Sequence, residues 1–337
     1  MSEHAAAPTD KAEALRATER WFVQHGLPYF VPEERDAARS ALHSRRTLFM
    51  LVLTVLVGLV GGILLARLFE DVAAAPTTVM VIVGLTAVAY AATALRARPI
   101  ATWAVARTMR SLPQLLPMAT RALPLLLIFV TFLFINAEVW EVSARLDGAV
   151  MVLTVLLFAT VAVGFLLVRL PDELEQADDV SDERTLVESC RRTPLEDRAR
   201  ALLSEDGHDE ITRLAKVRSF EKANLILVLM IAQAVQVILL ALAVFVFFLV
   251  FGSVIMTDKT QQNWTTQDQM TAVAWLPNMS VELLQVSVFL AAFSGLYFTV
   301  YAVTDEAYRD QFFSGIKHEL ERAVGVRAVY LALRKRA

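Results

Sequence analysis

Residues Leu225–Phe251 read LILVLMIAQAVQVILLALAVFVFFLVF, a long apolar run without a single charge. A hydrocarbon core of ~30 Å takes about 20 helical residues to cross, and backbone polar groups in lipid must be satisfied within the segment itself. The run therefore predicts a transmembrane α-helix. Barrel strands are excluded, because they alternate in polarity and are about half as long. Two glutamines interrupt the run. Gln233 and Gln236 are three residues apart, hence about 60° apart around a helix, and so share one face.

Runs of similar length and apolarity recur at Thr47–Phe69, Thr77–Leu95, Leu123–Trp140, Ala149–Leu170 and Val281–Val303. The composition agrees: 56% hydrophobic and only 20% charged, with the charges gathered between the runs rather than spread at amphipathic spacing. The expected fold is an all-α polytopic membrane bundle of six transmembrane helices with added cytoplasmic amphipathic helices. Five organisational units follow. Residues 1–46 form amino-terminal helices, and 47–170 hold spans one to four with a basic elbow at 96–121. An acidic and helical connection covers 171–222, spans five and six cover 223–303 with an outer loop at 253–280, and 304–337 form a carboxyl-terminal amphipathic helix.

Cations set the expected orientation. Lys11, Arg16, Arg20, Arg35, Arg39, Arg45 and Arg46 precede the first run, and Arg96, Arg98, Arg107, Arg110 and Arg121 fill the second connection. The alternate connections hold only Arg67, Arg145 and Lys259. Both termini are thus placed in the cytoplasm, in agreement with an even number of spans. The polar first 46 residues do not read as a cleavable signal peptide. Cys190 is the one cysteine and lies on the cytoplasmic side, so no disulfide framework is expected.

The connections carry local signals. An amino-terminal helix over Pro8–His25 stops at Gly26 and Pro28, and Trp21, Phe22, Tyr29 and Phe30 read as headgroup-level aromatics. A short helix starts near Pro32. The elbow forms an amphipathic helix bearing Arg107 and Arg110, which Pro113, Pro117 and Pro124 then interrupt; its arginines face anionic lipid at the inner leaflet. Thr193, Pro194 and Glu196 make a helix start with a capping box. Asp206, His208, Asp209 and Glu210 lack the ligand spacing of a calcium or zinc site and read as a turn before a helix. A short helix is expected in the outer loop. The terminal helix, with a Thr304/Asp305 cap and Phe312 or Phe313, Ile316, Leu320, Val324 and Leu331 near helical spacing, either lies on the leaflet or pairs with another cytoplasmic helix. Trp21, Trp103, Trp140, Trp264 and Trp275 all fall at or beyond run ends, as interfacial anchors do.

Chemistry-bearing patterns are sparse. No histidine, aspartate or lysine sits in the middle of a run, and no phosphate-cradling glycine loop is present. The expectation is a non-enzymatic protein with no catalytic residue, cofactor or metal and no nucleic-acid partner. Asn136, Glu138, Glu141, Glu282 and Arg67 are read as peripheral and wet. Small residues at four-residue spacing, Gly58/Gly62 and Ala291/Gly295, suit close helix packing. Gln233, Gln236, Gln285 and Ser287 either line a polar pathway or fasten helices together by hydrogen bonds worth roughly 0.6–2 kcal/mol.

RALPLLLIFVTFLFINAEVW (121–140), AAFSGLYFTVYAVTDEAYRDQFF (291–313) and CRRTP (190–194) resemble segments of a family of uncharacterised integral membrane proteins of high-GC Gram-positive bacteria. The resemblance implies a bacterial cytoplasmic membrane and carries no activity. Three functions are compatible with the sequence: a homo-oligomeric channel-like protein, a non-conducting scaffold or regulator with a cytoplasmic protein partner, and a secondary transporter. Membrane lipids, including anionic headgroups, are expected partners of all three.

Overall fold

A computed structural model describes residues 8–42, 44–177, 183–199, 214, 217, 220–273, 279–304 and 306–335. Trp275, the Asp206–Glu210 turn, Asp305 and most of the acidic run after 177 lie outside the described residues, as do the side chains of Phe312, Phe313, Ile316 and Leu320. The architecture is all-helical. In chain order the helices are α1 (Pro8–Gln24), α2 (Pro32–Leu42), α3 (Arg45–Leu68), α4 (Ala74–Thr93), α5 (Ala97–Phe134), α6 (Ala137–Ala144), α7 (Gly148–Ala177), α8 (Glu183–Ser189), α9 (Phe220–Ile255), α10 (Asp258–Thr265), α11 (Val281–Thr304) and α12 (Glu306–Lys335). A 3-10 turn at Pro28–Phe30 joins α1 to α2.

Five of these helices are long and apolar enough to cross a membrane: Arg45–Leu68, Ala74–Thr93, Gly148–Leu170, Phe220–Ile255 and Val281–Ala302. The third expected span is not one straight helix. It is the pair Leu126–Phe134 and Ala137–Ala144, bent by 73°. The break has a local cause. Asn136 leaves helical geometry (φ −99°, ψ 118°) and its side chain caps α6 by accepting from Glu138 N–H. The carbonyl that Phe134 loses from the helix ladder instead accepts from Trp140 Nε1 at 2.6 Å. Interrupted backbone among apolar helices survives only when another group satisfies it. Trp140 does so, and its side chain is wholly enclosed, meeting Phe134, Phe248 beyond it, and Trp264. It is therefore a core residue and not the interfacial anchor its position suggested.

The prolines of the elbow also behave otherwise than expected. Ala97–Phe134 is one continuous helix through Pro113, Pro117 and Pro124. Its first half packs beside α1 and α12, and its second half enters the bundle against α9 and α11.

α11 is the axis of the bundle. Over half (56%) of its most apolar stretch is buried, against 11–17% for the other spans, and it touches α5, α6, α7 and α9. It runs antiparallel to α9: a methyl on Gly252 would strike Leu283, and one on Gly295 would sit 3.3 Å from Val237 and 3.7 Å from Ala241. α3 and α4 form an outlying hairpin whose closeness depends on small residues. A methyl on Gly58 would lie 3.3 Å from the Val79 Cα, and one on Gly62 only 2.7 Å from the Ala75 carbonyl oxygen.

At one end of the bundle the chain builds a cap from α1, the 3-10 turn, α2, α8 and the last turns of α12, whose apolar core is continuous with residues of the adjoining helices, among them Ile100 of α5, Leu170 of α7 and Leu225 of α9. Phe22, Phe30 and Tyr330 meet edge-to-face there, with centroids 5.5 and 5.6 Å apart. Phe22, Tyr29 and Phe30 are buried among protein side chains, so the headgroup reading of these aromatics is corrected. Of the two fates expected for the terminal helix, pairing is the one seen: Ala323–Tyr330 is continuously buried against α1 and α8. Both chain ends thus meet at one end of the bundle, while α6 and α10 close the other, where Glu282 is 4% exposed and accepts from Thr271 N–H rather than standing in water.

The glycine contacts give a paired test. Gly62→Leu should lower the stability of the detergent-solubilised protein by about 1–3 kcal/mol, the usual cost of overpacking. Gly84→Leu, at a position with nothing within 4 Å of an added Cβ, should leave the thermal midpoint within a degree or two. Equal effects would mean that α3 and α4 do not pack as described.

Candidate functional site

Four polar residues of α9 lie on its buried face. Glu221, Asn224, Gln233 and Gln236 are 2%, 0%, 3% and 8% exposed, whereas Ile238, Leu242, Val246, Val250 and Val254 face outward. Uncompensated polar groups in such surroundings cost a few kcal/mol each, so their partners decide what they do.

Glu221, in the first turn of α9, holds the cap to the bundle. One carboxylate oxygen accepts from Arg35 Nη1 and the other from Arg327 Nη2, both at 2.7 Å. Arg327 comes from the middle of α12, with its side chain only 7% exposed. It also donates to the Leu214 carbonyl at 2.6 Å and lies 5.8 Å over the Phe30 ring. One helical turn on, Asn224 clasps the turn after α1. Its Nδ2 donates to Gly26 O at 2.8 Å, and its Oδ1 accepts from Tyr29 N–H at 3.0 Å. Gly26 has φ +73°, a left-handed conformation in which a side chain is strained, and Trp103 of α5 closes over it. Tyr29 then donates to Leu95 O, just past the end of α4.

A second polar seam ties the chain ends. Tyr330 donates to Glu19 at 2.8 Å, and Arg334 bridges Tyr330 and Glu33 at 2.9 and 2.8 Å. The hydrogen bond and charge of Arg334 hold the Glu33 carboxyl below the usual carboxylate range. Cys190 is fully enclosed in the cap core. Burial pushes its thiol up to about 12, against a smaller opposite pull from the Arg322 charge. Thr193 caps as expected, Leu195 N–H donating to its Oγ1, but Glu196 accepts from Arg192 N–H, so the reciprocal bond of the expected capping box to Thr193 N–H is not formed.

The other polar span residues do not form one constellation. Gln236 sits on α9 at the level of Gly295, while Ser287 is eight residues away along α11, roughly 12 Å. The Gln236 Oε1 and Ser287 Oγ atoms are buried with no hydrogen-bond partner among the described residues. Gln285 is half-buried and donates to Leu146 O at 3.3 Å. Ala291 is 7% exposed and packs on the same axis as Gly295. Of the tryptophans, Trp21 and Trp103 are half-buried at the cap, and Trp264 is half-buried beside Trp140. Among the described residues there is no group of three metal-ligating side chains.

Sequence reading missed Glu221, Asn224, Arg35 and Arg327. The available signal was Arg327 within AVGVRAVYLAL, a lone cation in an apolar helix, which needs a partner if buried. The chain matches no protein-family model, no curated protein and no solved structure.

Two outcomes follow. Glu221→Ala leaves two guanidinium groups facing each other and should cost about 3–5 kcal/mol, seen as a lowered unfolding midpoint, with the amides of the cap the first to exchange in deuterium. Cys190 keeps its proton in the folded protein to higher pH than in the unfolded chain. Its contribution is therefore complete below the ordinary thiol value of about 8.5 and is lost as pH rises towards 12. Thermal scans from pH 8 to 11 should show a decline that Cys190→Ser reduces, and maleimide should label the folded protein at least about 100-fold more slowly than the denatured one.

Proposed function

We propose that this chain is a non-enzymatic, multipass protein of a bacterial cytoplasmic membrane, with both ends in the cytoplasm, that acts as a scaffold or regulator through its cap. The single observation that carries this reading is Glu221. It joins a folded cap, built from three distant parts of the chain, to the first turn of α9, which packs along the axial α11. A ligand or protein partner that shifts the cap must move α9, since the Glu221 and Asn224 contacts are short and enclosed. The arginine-rich segments before α3 and at the start of α5 support the cytoplasmic placement of the cap.

A second reading is a homo-oligomeric channel-like protein. It is favoured by Gln236, whose enclosed Oε1 lacks a partner, beside the buried Gln233. The broad apolar faces of α3, α4 and α7 suit either lipid or further copies of the chain.

One pair of measurements separates the readings. Single cysteines at Glu13 in the cap and Asp258 in α10, in a Cys190→Ser background, should be protected from and open to an impermeant maleimide, respectively, in intact cells. Reconstituted protein should leave the ion permeability of liposomes at baseline under voltage and tension. A conductance abolished by Gln233→Leu and Gln236→Leu together would replace the regulator with the channel; labelling of the cap from outside would overturn the placement.

A further inference from the structure

Beside the cap, where α5 crosses α1 and α12, lies a recess of about 220 Å³ lined by Trp21, Trp103, Arg107, Arg110, Arg322 and Glu319, with His25 stacked on Trp21 at 4.1 Å. Its charges do not balance. Arg107 approaches Glu319 through Nε at 2.8 Å, an ion-pair contact whose direction leaves that nitrogen without a hydrogen bond. Arg322 is held by neutral acceptors, the carbonyls of Ser189 at 3.2 Å and Arg191 at 2.6 Å. Arg110 is exposed and has no ion pair among the described residues. Among the described residues, three guanidinium groups therefore share one carboxylate, in a recess walled by two indoles.

Geometry fixes the level of this recess in the bundle. Trp103 closes over Gly26, whose carbonyl is held by Asn224 in the first turns of α9. Tyr29, three residues beyond Gly26, reaches Leu95 at the end of α4. The recess therefore stands level with the cap ends of two apolar helices, where the headgroups of one leaflet begin. Guanidinium forks match phosphate oxygens, and indoles favour the same depth. The volume is below that of sites enclosing a whole small-molecule ligand (roughly 300–1,000 Å³), and suits a headgroup whose acyl chains stay in the bilayer.

We propose that this recess is a discrete site for the phosphate of an anionic phospholipid, held by Arg107, Arg110 and Arg322 and walled by Trp21 and Trp103. It rests on the membrane placement given under Proposed function, though not on the choice between regulator and channel. A bound headgroup bridges α5 and α12, and so ties the state of the cap to the lipid around it.

Native mass spectrometry of the full chain in neutral detergent tests this, titrating dioleoyl-phosphatidylglycerol against phosphatidylcholine. The anionic lipid should be retained preferentially. Arg110→Gln, which removes no structural bond among the described residues, should lower that retention about fivefold, the loss expected for one arginine facing an anionic headgroup. Arg107→Gln should act in the same direction, and Arg98→Gln, an exposed cation elsewhere on α5, should change it less than twofold. An equal drop for Arg98→Gln and Arg110→Gln would overturn the site in favour of diffuse surface attraction, as would no drop for either. Displacement of the lipid by inorganic phosphate or glycerol phosphate at comparable concentration would overturn the lipid as its source. The cysteine-accessibility result decides membrane placement separately, so failure of the site and failure of the placement give different patterns.

Discussion

The carboxylate of Glu221 sits between two guanidinium groups at the point where α9 leaves the cap and enters the bundle. A single enclosed carboxylate with one arginine would satisfy charge, but the second arginine changes what the contact does. Arg35 belongs to the amino-terminal segment and Arg327 to the carboxyl-terminal helix, so one side chain fixes both ends of the chain to the same turn of a membrane-length helix. Ion pairs taken out of water bring little net stability compared with apolar packing, and their documented value is in fixing register. Here the register is that of the cap on the bundle. Asn224 repeats the arrangement one turn deeper with neutral groups, clasping Gly26 and Tyr29.

The bundle itself is held differently. Lipid removes the hydrophobic drive between helices, so close approach and satisfied backbone take over. Gly58 and Gly62 bring α3 against α4, and Gly252 and Gly295 bring α9 against α11. The bend between α5 and α6 is tolerated because Asn136 and Trp140 supply the hydrogen bonds that the helix gives up. α3, α4 and α7 remain mostly uncovered and apolar, whereas α11 is enclosed.

The spans were legible in the sequence because twenty consecutive apolar residues have few soluble interpretations; the membrane-length stretches of α3, α4, α7, α9 and α11 begin and end within about five residues of the expected runs. The small-residue faces were legible for the same reason, as spacing alone defines them. The cap was not. Trp21, Phe22, Tyr29 and Phe30 beside an apolar run have one composition whether the apolar phase is lipid or the interior of a folded cap, and only tertiary contact separates the two. The bend between α5 and α6 was hidden too, because hydropathy averages over the turn at Asn136 without registering its direction. Glu221 gives no local signal, since its partners lie 186 and 106 residues away in the chain, beyond the reach of local pattern.

The joining of Phe22 and Phe30 to Tyr330 has a consequence for biosynthesis. Phe22 and Phe30 leave the ribosome some three hundred residues before Tyr330, the ring that completes their cluster. Trp103 and Asn224 can cover the Gly26 turn before then, but the side of Phe22 that meets Tyr330 stays bare, and a chain halted anywhere before α12 displays it continuously. Exposed apolar segments of this kind are what chaperones and proteases recognise. Completion of the cap therefore reports that translation has passed Tyr330, and it distinguishes such chains from shorter ones whose membrane-length helices are otherwise intact.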